Sequence, residues 1–373
     1  MKLNLISISD IHLGKSSIPP EYIPDNIRKY LYPHLNKDLD ILFIVGDFFD
    51  TILDLNSKAG FEASCIIHEI IDLSIKNDFI VRVLQGTYTH DRHQNMTFKS
   101  NTKMIDTEDR LKVFEDIDLE YIERFNINVL YIPDDLPNKN IMDYIYNIQK
   151  NSNIKQFDLI LHHGYFKHIL PIGMPHEPIN TLDADILSKL VKGVILNGHI
   201  HTPSMYKKVI NNGSFDRLTH NEEEPKGFFK LVYDTKNSKV IHEFIENKDA
   251  NIFKSIYLHK CDDLEDAINV VRNKITKIRK HIKNKLLFIR IISDSDMIKQ
   301  GVTRYISTAF ENIKITSKKY TKNKNDNYLE NDKLCNVDEL PKITEDNIID
   351  MVVNFTKKEN IPLSREYVME KLR

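Results

Sequence analysis

The chain has 373 residues, 41% hydrophobic and 28% charged, with 52 Lys and Arg against 54 Asp and Glu and a net charge of -2; this suits one large domain with attachments or two to three ordinary ones and excludes a general pull toward nucleic acid or membrane, so that any contact with DNA is local. Its three cysteines, Cys65, Cys261 and Cys335, lie far apart without CxxC spacing, which argues against a disulfide framework and a thiolate zinc site. The N-terminal "LNLISIS" is too short for a signal-peptide core and is cut off by Asp10, and no run approaches about 18 apolar residues, so a cytoplasmic location without membrane contact is expected.

The first part of the chain alternates short apolar runs with helical patterns. "LNLISIS", "DILFIVGD", "FIVRVLQG", "NVLYIP", "FDLILHHG" and "VKGVILNG" read as buried strands bounded by polar turns. Between the second and third, Ile66, Ile67, Ile70, Ile71 and Leu73 fall on one helical face. The fold class is α/β, with central sheets flanked by helices.

From about residue 250 the order becomes "IFKSIYL", a helical "DDLEDAINVVRNKITKIRKHI", "KLLFIRII", a helical "SDMIKQGVTRYISTAFEN" and "IKIT". This is strand, helix, strand, helix, strand, a small α+β unit. Residues 318–342 are polar, aperiodic and basic at the start, with Lys318, Lys319, Lys322 and Lys324, and read as a linker. In the closing helical segment, 343–373, Ile348, Ile349, Val352 and Val353 form an apolar face.

Five clusters carry chemistry: "DIH" (Asp10, His12), "GDFFD" (Gly46, Asp47, Asp50), "HD" (His90, Asp91), "HHG" (His162, His163, Gly164) and "GHIH" (Gly198, His199, His201). Most directly follow a predicted strand, where the ligand sites of α/β sheets form. Carboxylate and imidazole suit manganese, iron or zinc. The i, i+2 spacing in "DIH" and "GHIH" puts each pair on one face if the strand end stays extended. Asp47, after the next strand, can offer one oxygen to each of two ions. A lone His or Asp at a strand end is ordinary turn chemistry; the conjunction is what points to metal.

In this order the clusters resemble the calcineurin-like metallophosphoesterase superfamily, with its D-x-H, G-D-x-x-D, G-N-H-D, histidine-glycine and G-H-x-H motifs, over about residues 1–247. The resemblance implies a layered core and two divalent ions, manganese first, with iron, zinc or magnesium as alternatives. One ion would be held by Asp10, His12, Asp47 and His201, the other by Asp47, His162 and His199. His163 takes a supporting role and Asp50 orients its loop. His90 resembles the histidine that reaches the leaving-group oxygen, with Asp91 orienting its ring, while Arg92 and His93 stand either as phosphate contacts or as solvated loop.

The chain departs from the family in "GTYTHDRH", which has two extra residues and no asparagine before the His-Asp pair. A hydroxyl of Thr89 or Thr87, or a water, is left to fill the ligand position, and a weaker second metal site is expected.

The stretch "INNGSFDRLTHNEEEPKGFFKLVYDT" is similar to DNA-repair nucleases of the SbcD type and to phage recombination endonuclease subunits. That branch implies a DNA exonuclease or endonuclease of recombination and repair, with a nuclease domain (1–247), an α+β DNA-capping domain (250–317), a linker (318–342) and a helical segment (343–373) that binds an SMC-like ATPase of the SbcC type. It also implies a homodimer, formed through the helix around Ile66 to Leu73 unless that face covers the sheet, and with the compact size it points to a phage source. The competing readings are a small-ester or cyclic-nucleotide phosphoesterase and a catalytically weakened scaffold.

Overall fold

Short runs rich in Ile, Leu, Val and Phe are buried along their whole length, Ile41–Val45 and Ile80–Leu84 among them, and such two-sided burial is the mark of central parallel strands. The structure, a computed structural model, describes residues 1–319 apart from 99–108, 135, 137–139, 171–177, 179, 281 and 283–285. Its strands are β1 (Lys2–Ile8), β2 (Ile41–Val45), β3 (Ile80–Leu84), β4 (Leu111–Phe114), β5 (Asp118–Ile122), β6 (Ile127–Ile132), β7 (Phe157–His163), β8 (Val191–Gly198), β9 (Ser204–Tyr206), β10 (Val209–Asn211), β11 (Gly227–Asp234), β12 (Lys239–Glu246), β13 (Ile252–Tyr257), β14 (Leu287–Ser293) and β15 (Ile313–Lys319).

Two mixed six-stranded sheets form the core, in the orders β12-β11-β1-β2-β3-β4 and β5-β6-β7-β8-β10-β9. β1 to β4 run parallel, as do β6, β7, β8 and β10. Leu5, Phe43, Val45 and Leu84 of the first sheet share one cluster with Val129, Tyr131, Leu161 and Leu196 of the second. The outer face of the first sheet, with Ile6, Leu42, Ile44 and Val83, is covered by the helix Lys58–Asn77. Outside the second sheet, Leu130, Ile160 and Ile195 pack with Ile145 and Leu187 of the helices Ile141–Ser152 and Ala184–Leu190. The order is helix, sheet, sheet, helix.

The helix Lys58–Asn77 starts where Ser57 accepts a hydrogen bond from the Gly60 amide at 3.0 Å. Its face of Ile66, Ile67, Ile70 and Ile71 is buried against the sheet. That face is therefore not available for the dimer contact considered above. Among the described residues no helix is long and apolar enough to cross a membrane.

Residues 252–319 carry the expected strand, helix, strand, helix, strand order. β13, β14 and β15 make an all-parallel sheet, and the helices Leu264–Arg279 and Asp296–Ala309 bury Ala267, Val271, Ile275, Ile298, Val302 and Ile306 against Ile256, Leu287, Ile289 and Ile291. Phe253 and Phe288 join the cluster of the main core beside Phe215 and Leu218. The buried Asp216 ties the connecting segment down, accepting from the Asn251 amide at 2.6 Å and from the side chain of Asn26 at 2.8 Å. β15 runs on to Lys319, so Lys318 and Lys319 are strand and not the start of the expected linker. The remainder of that linker, with Lys322 and Lys324, and the segment 343–373 lie outside the described residues.

One buried ion pair bridges the two sheets. Arg82 on β3 donates Nε and Nη2 to the two oxygens of Glu120 on β5 at 2.7 and 2.8 Å, and Glu120 also accepts from Tyr131 at 2.8 Å. Removing one partner of such a pair leaves the other charge buried and unpaired. Glu120→Ala is expected to lose about 3–5 kcal/mol of stability, measured by urea unfolding.

Candidate metal centre

The carboxyl ends of β1, β2, β3, β7 and β8 meet where the two sheets abut, and the chemistry-bearing residues lie on the turns that leave them. β1 stops at Ile8, and the turn that follows is zipped onto the "GDFF" loop: the amides of Asp10, His12 and Leu13 donate to the carbonyls of Gly46, Asp47 and Phe48 at 3.1, 3.0 and 2.9 Å. Asp10, His12, Asp47 and His199 all have left-handed backbone, with φ of 50°, 53°, 51° and 84°. Side-chain-bearing residues are uncommon there, and when such residues cluster they mark sites whose surroundings hold them in place. The extended strand ends expected for "DIH" and "GHIH" are thus replaced by tight turns. Gly46 and Gly86 permit the packing, since a Cβ on the first would run into the His163 ring and one on the second into Asp47.

Two sets of ligand atoms result, each lying within 4.8 Å of one another. Asp10, His12 and His201 form the first, and Asp47, His163 and His199 the second. The "GHIH" pair is split between them. Asp47 Oδ2 stands between the sets, 3.7 Å from His12 Nε2 and 3.4 Å from His163 Nε2.

His163, and not His162 as expected, therefore faces Asp47. The cause is strand parity: Leu159 and Leu161 point between the sheets and Ile160 points outward, so His163 follows the former and His162 the latter. His163 Nδ1 donates to the Val45 carbonyl at 2.8 Å, which turns Nε2 toward the centre. His162 instead bonds Asn197 Oδ1 at 2.7 Å and packs on Phe166, and burial pushes its pKa down to about 3.

His90 and Asp91 are both present at the centre, but the aspartate does not orient the histidine. Asp91 is buried and accepts from the amides of Asp47, Phe49 and Gly86 at 3.1, 3.0 and 2.8 Å, and from Asn95 at 2.8 Å. It clamps the β2 and β3 loops together. The His90 ring is set by the Asp50 carbonyl, 2.9 Å from Nδ1, and lies edge-on to His12 with centroids 4.6 Å apart. Asp50 Oδ1 also sits 3.2 Å from His12 Nδ1 and 3.0 Å from Lys15 Nζ, and with His12 and His90 it forms a further cluster that could hold a metal ion. His93 pairs with Glu115 at 2.8 Å, and Arg92 reaches the Thr89 carbonyl.

Two residues escaped the sequence reading. Glu222 accepts from His201 Nδ1 at 3.1 Å and from Lys226 Nζ at 2.8 Å, and the fully buried Lys226 also donates to the His201 carbonyl at 2.8 Å. His201 is thereby held with Nε2 toward Asp10 Oδ1, 3.8 Å away. The signal lay in "HNEEEPKG", where Glu222 and Lys226 share i, i+4 spacing, but nothing local ties that stretch to "GHIH".

The donors suit divalent cations, since oxygen and imidazole are the ligands of manganese, iron and zinc. His12 Nε2, 3.7 Å from Asp47, is buried without a hydrogen-bond partner, a costly state for a polar atom that a bound cation would relieve. Charge agrees. Burial would raise the Asp47 carboxyl, but His163 and His12 beside it hold it well below the usual carboxylate range. Burial would likewise lower His163, yet Asp47 pushes it up to about 10. Burial and the neighbouring His163 push His199 down to about 4. The pocket of carboxylates draws positive charge onto its own imidazole.

No family model matches the chain, and no curated protein matches it.

Two outcomes follow for metal binding. His163 holds a proton throughout the neutral range because its pKa is raised, and a cation must displace that proton, so manganese affinity should rise between about pH 6 and 8, roughly tenfold per pH unit for each proton released. Calorimetry in buffers of different ionisation enthalpy reads the proton count. Glu222→Gln should weaken manganese binding by roughly 10-fold or more through loss of the charge that steadies His201 and Lys226, and unchanged affinity would show that Glu222 has no such part.

Proposed function

We propose that this chain is a metal-dependent phosphodiesterase of the calcineurin-like kind, acting on DNA as the nuclease subunit of a recombination or repair complex. The observation that carries the reading is the convergence of Asp10, His12, Asp47, His163, His199 and His201 into two adjoining donor sets that meet at Asp47 Oδ2. The order of these residues along the chain is that of the superfamily it resembles, with His163 in place of His162. Two bound divalent ions, manganese first, would supply positive charge against a phosphodiester and lower the pKa of a coordinated water.

The protein's own residues do the rest. Asp10, His12 and His201 would hold one ion and His163 and His199 the other, with Asp47 between the two sets. Thr87, Ser9 and the His199 amide fix the carboxylates, with bonds of 2.7 Å from Thr87 N to Asp47, 2.5 Å from Ser9 Oγ to Asp10, and 3.0 Å from His199 N to Asp10. His90, its Nδ1 engaged by the Asp50 carbonyl, keeps Nε2 for proton transfer and is assigned to protonate the departing sugar oxygen.

A long polyanion fits the surroundings better than a small ester. The register of β14 and β15 pairs Phe288 with Lys314, Arg290 with Thr316 and Ile292 with Lys318, which puts Arg290, Lys314 and Lys318 on one face of the small sheet. Lys314 Nζ donates to the Ser17 carbonyl at 3.0 Å, on the loop that leaves His12. This local positive charge, on a chain of nearly balanced charge, is tied through Lys314 to the loop that follows His12 and would suit backbone phosphates. The capping function of this unit, the partnership with an SMC-like ATPase of the SbcC type, and a homodimer built on a surface other than Ile66–Ile71 belong to the same proposal.

The test is manganese-dependent cleavage of linear double-stranded DNA beside p-nitrophenyl and cyclic-nucleotide esters. The expected result is DNA cleavage that is abolished in Asp47→Ala and falls by roughly 100-fold or more in His90→Ala with metal binding retained. Turnover of small esters without DNA cleavage would overturn the DNA reading, and inactivity of the intact chain with every ion and with its ATPase partner would make it a scaffold.

A further inference from the structure

We infer that the Thr87 hydroxyl is a ligand of the cation held by Asp47, His163 and His199, completing that site with a neutral oxygen and leaving it the weaker of the two. The inference rests on the metal reading of the centre and adds to it a residue outside the clusters that carry that reading. Thr87 Oγ1 lies 3.3 Å from Asp47 Oδ2, 3.3 Å from His199 Nδ1 and 3.5 Å from His163 Nε2. It is the one hydroxyl among the described residues shown within 3.5 Å of ligand atoms from all three residues of that set.

The hydroxyl's direction is informative because of where Thr87 sits. Thr87 is the N-cap of the short helix Tyr88–Asp91, a position at which a threonine side chain ordinarily accepts a hydrogen bond from an amide of the first turn. It makes no such bond. Its oxygen is turned away from the helix it caps and into the centre, while its backbone amide, donating to Asp47 Oδ1 at 2.7 Å, fixes the residue there. Thr89, the other hydroxyl considered from sequence, is exposed. A threonine hydroxyl has one proton and two lone pairs. Donating the proton to Asp47 Oδ2 leaves lone pairs for a cation, and an uncharged hydroxyl is a weaker donor than the carboxylate and imidazoles around it. The other set has a carboxylate of its own, Asp10, besides His12 and His201, and faces the Asp47 oxygen as well, 3.7 Å from His12 Nε2.

The test is manganese titration of the full chain by calorimetry, with electron paramagnetic resonance to distinguish isolated from paired ions. The wild type should take up two ions in steps of unequal affinity. Thr87→Ala should weaken the second step by about tenfold or more and leave the first unchanged, Thr87→Asn should strengthen the second step, and Thr89→Ala should change neither. Thermal melting in chelator, equal for all variants, shows that the fold is kept. Wild-type binding in Thr87→Ala, or equal weakening of both steps, would overturn the role of Thr87 alone. Failure of the wild type to bind any manganese would overturn the metal reading of the centre as well.

Discussion

The arrangement depends on a single buried carboxylate. Asp47 leaves β2 at the point where the two sheets abut, and it is touched from every side: by His12 from the β1 turn, Thr87 from the β3 loop and His163 from β7. An ionised carboxylate in such a place has lost most of its hydration and is tolerated only with compensating positive charge and hydrogen bonds. Beside its amide donor, Asp47 draws on His163, whose pKa it raises. The same carboxylate has the unpartnered Nε2 of His12 on its other side, and the donors gathered around it are a set that could hold a cation.

Backbone geometry follows from the same constraint. To bring side chains from β1, β2 and β8 to one place, the chain leaves each strand abruptly, and Asp10, His12, Asp47 and His199 enter the left-handed region. Each such residue carries a cost of order 1–3 kcal/mol. The offsetting interactions are visible: amide bonds from the β1 turn to the β2 loop, the clamp of Asp91 on three amides, and the His199 amide on Asp10. Asp91 therefore matters to the centre although it meets Asp47 only at the backbone amide, because it holds the loop on which Asp47 stands.

Much of this was legible in the sequence, for reasons that also explain the rest. The long central strands and the helix Lys58–Asn77 announce themselves because buried parallel strands are continuous apolar runs and a sheet-covering helix has a clean stripe. β4, β9 and β10 span three or four residues each, too few to stand out, and β5, no longer than β2 or β3, is interrupted by Asp118 and Glu120. The choice of His163 over His162 was available from parity alone, had the strand been extended through both histidines from the inward Leu159 and Leu161. The division of labour around Asp91, Asp50 and Glu222 was not available. Which acceptor a histidine nitrogen finds depends on contacts such as Glu222 with His201, 21 residues apart, or His90 with the Asp50 carbonyl, 40 residues apart.

The loop from Gly86 to Asp91 is built around the same carboxylate. Both ends are anchored to the same neighbour: Gly86 and Thr87 lie against Asp47, and Asp91 accepts the Asp47 amide. Between these anchors the chain closes into one helical turn, with the amides of His90 and Asp91 both donating to the Thr87 carbonyl. Tyr88 and Thr89 are carried outward into solvent, while His90 comes back beside His12. A helical turn makes this possible, because residues three apart return to the same side. The turn thus brings Thr87 and His90 to the centre and leaves Tyr88 and Thr89 on the surface.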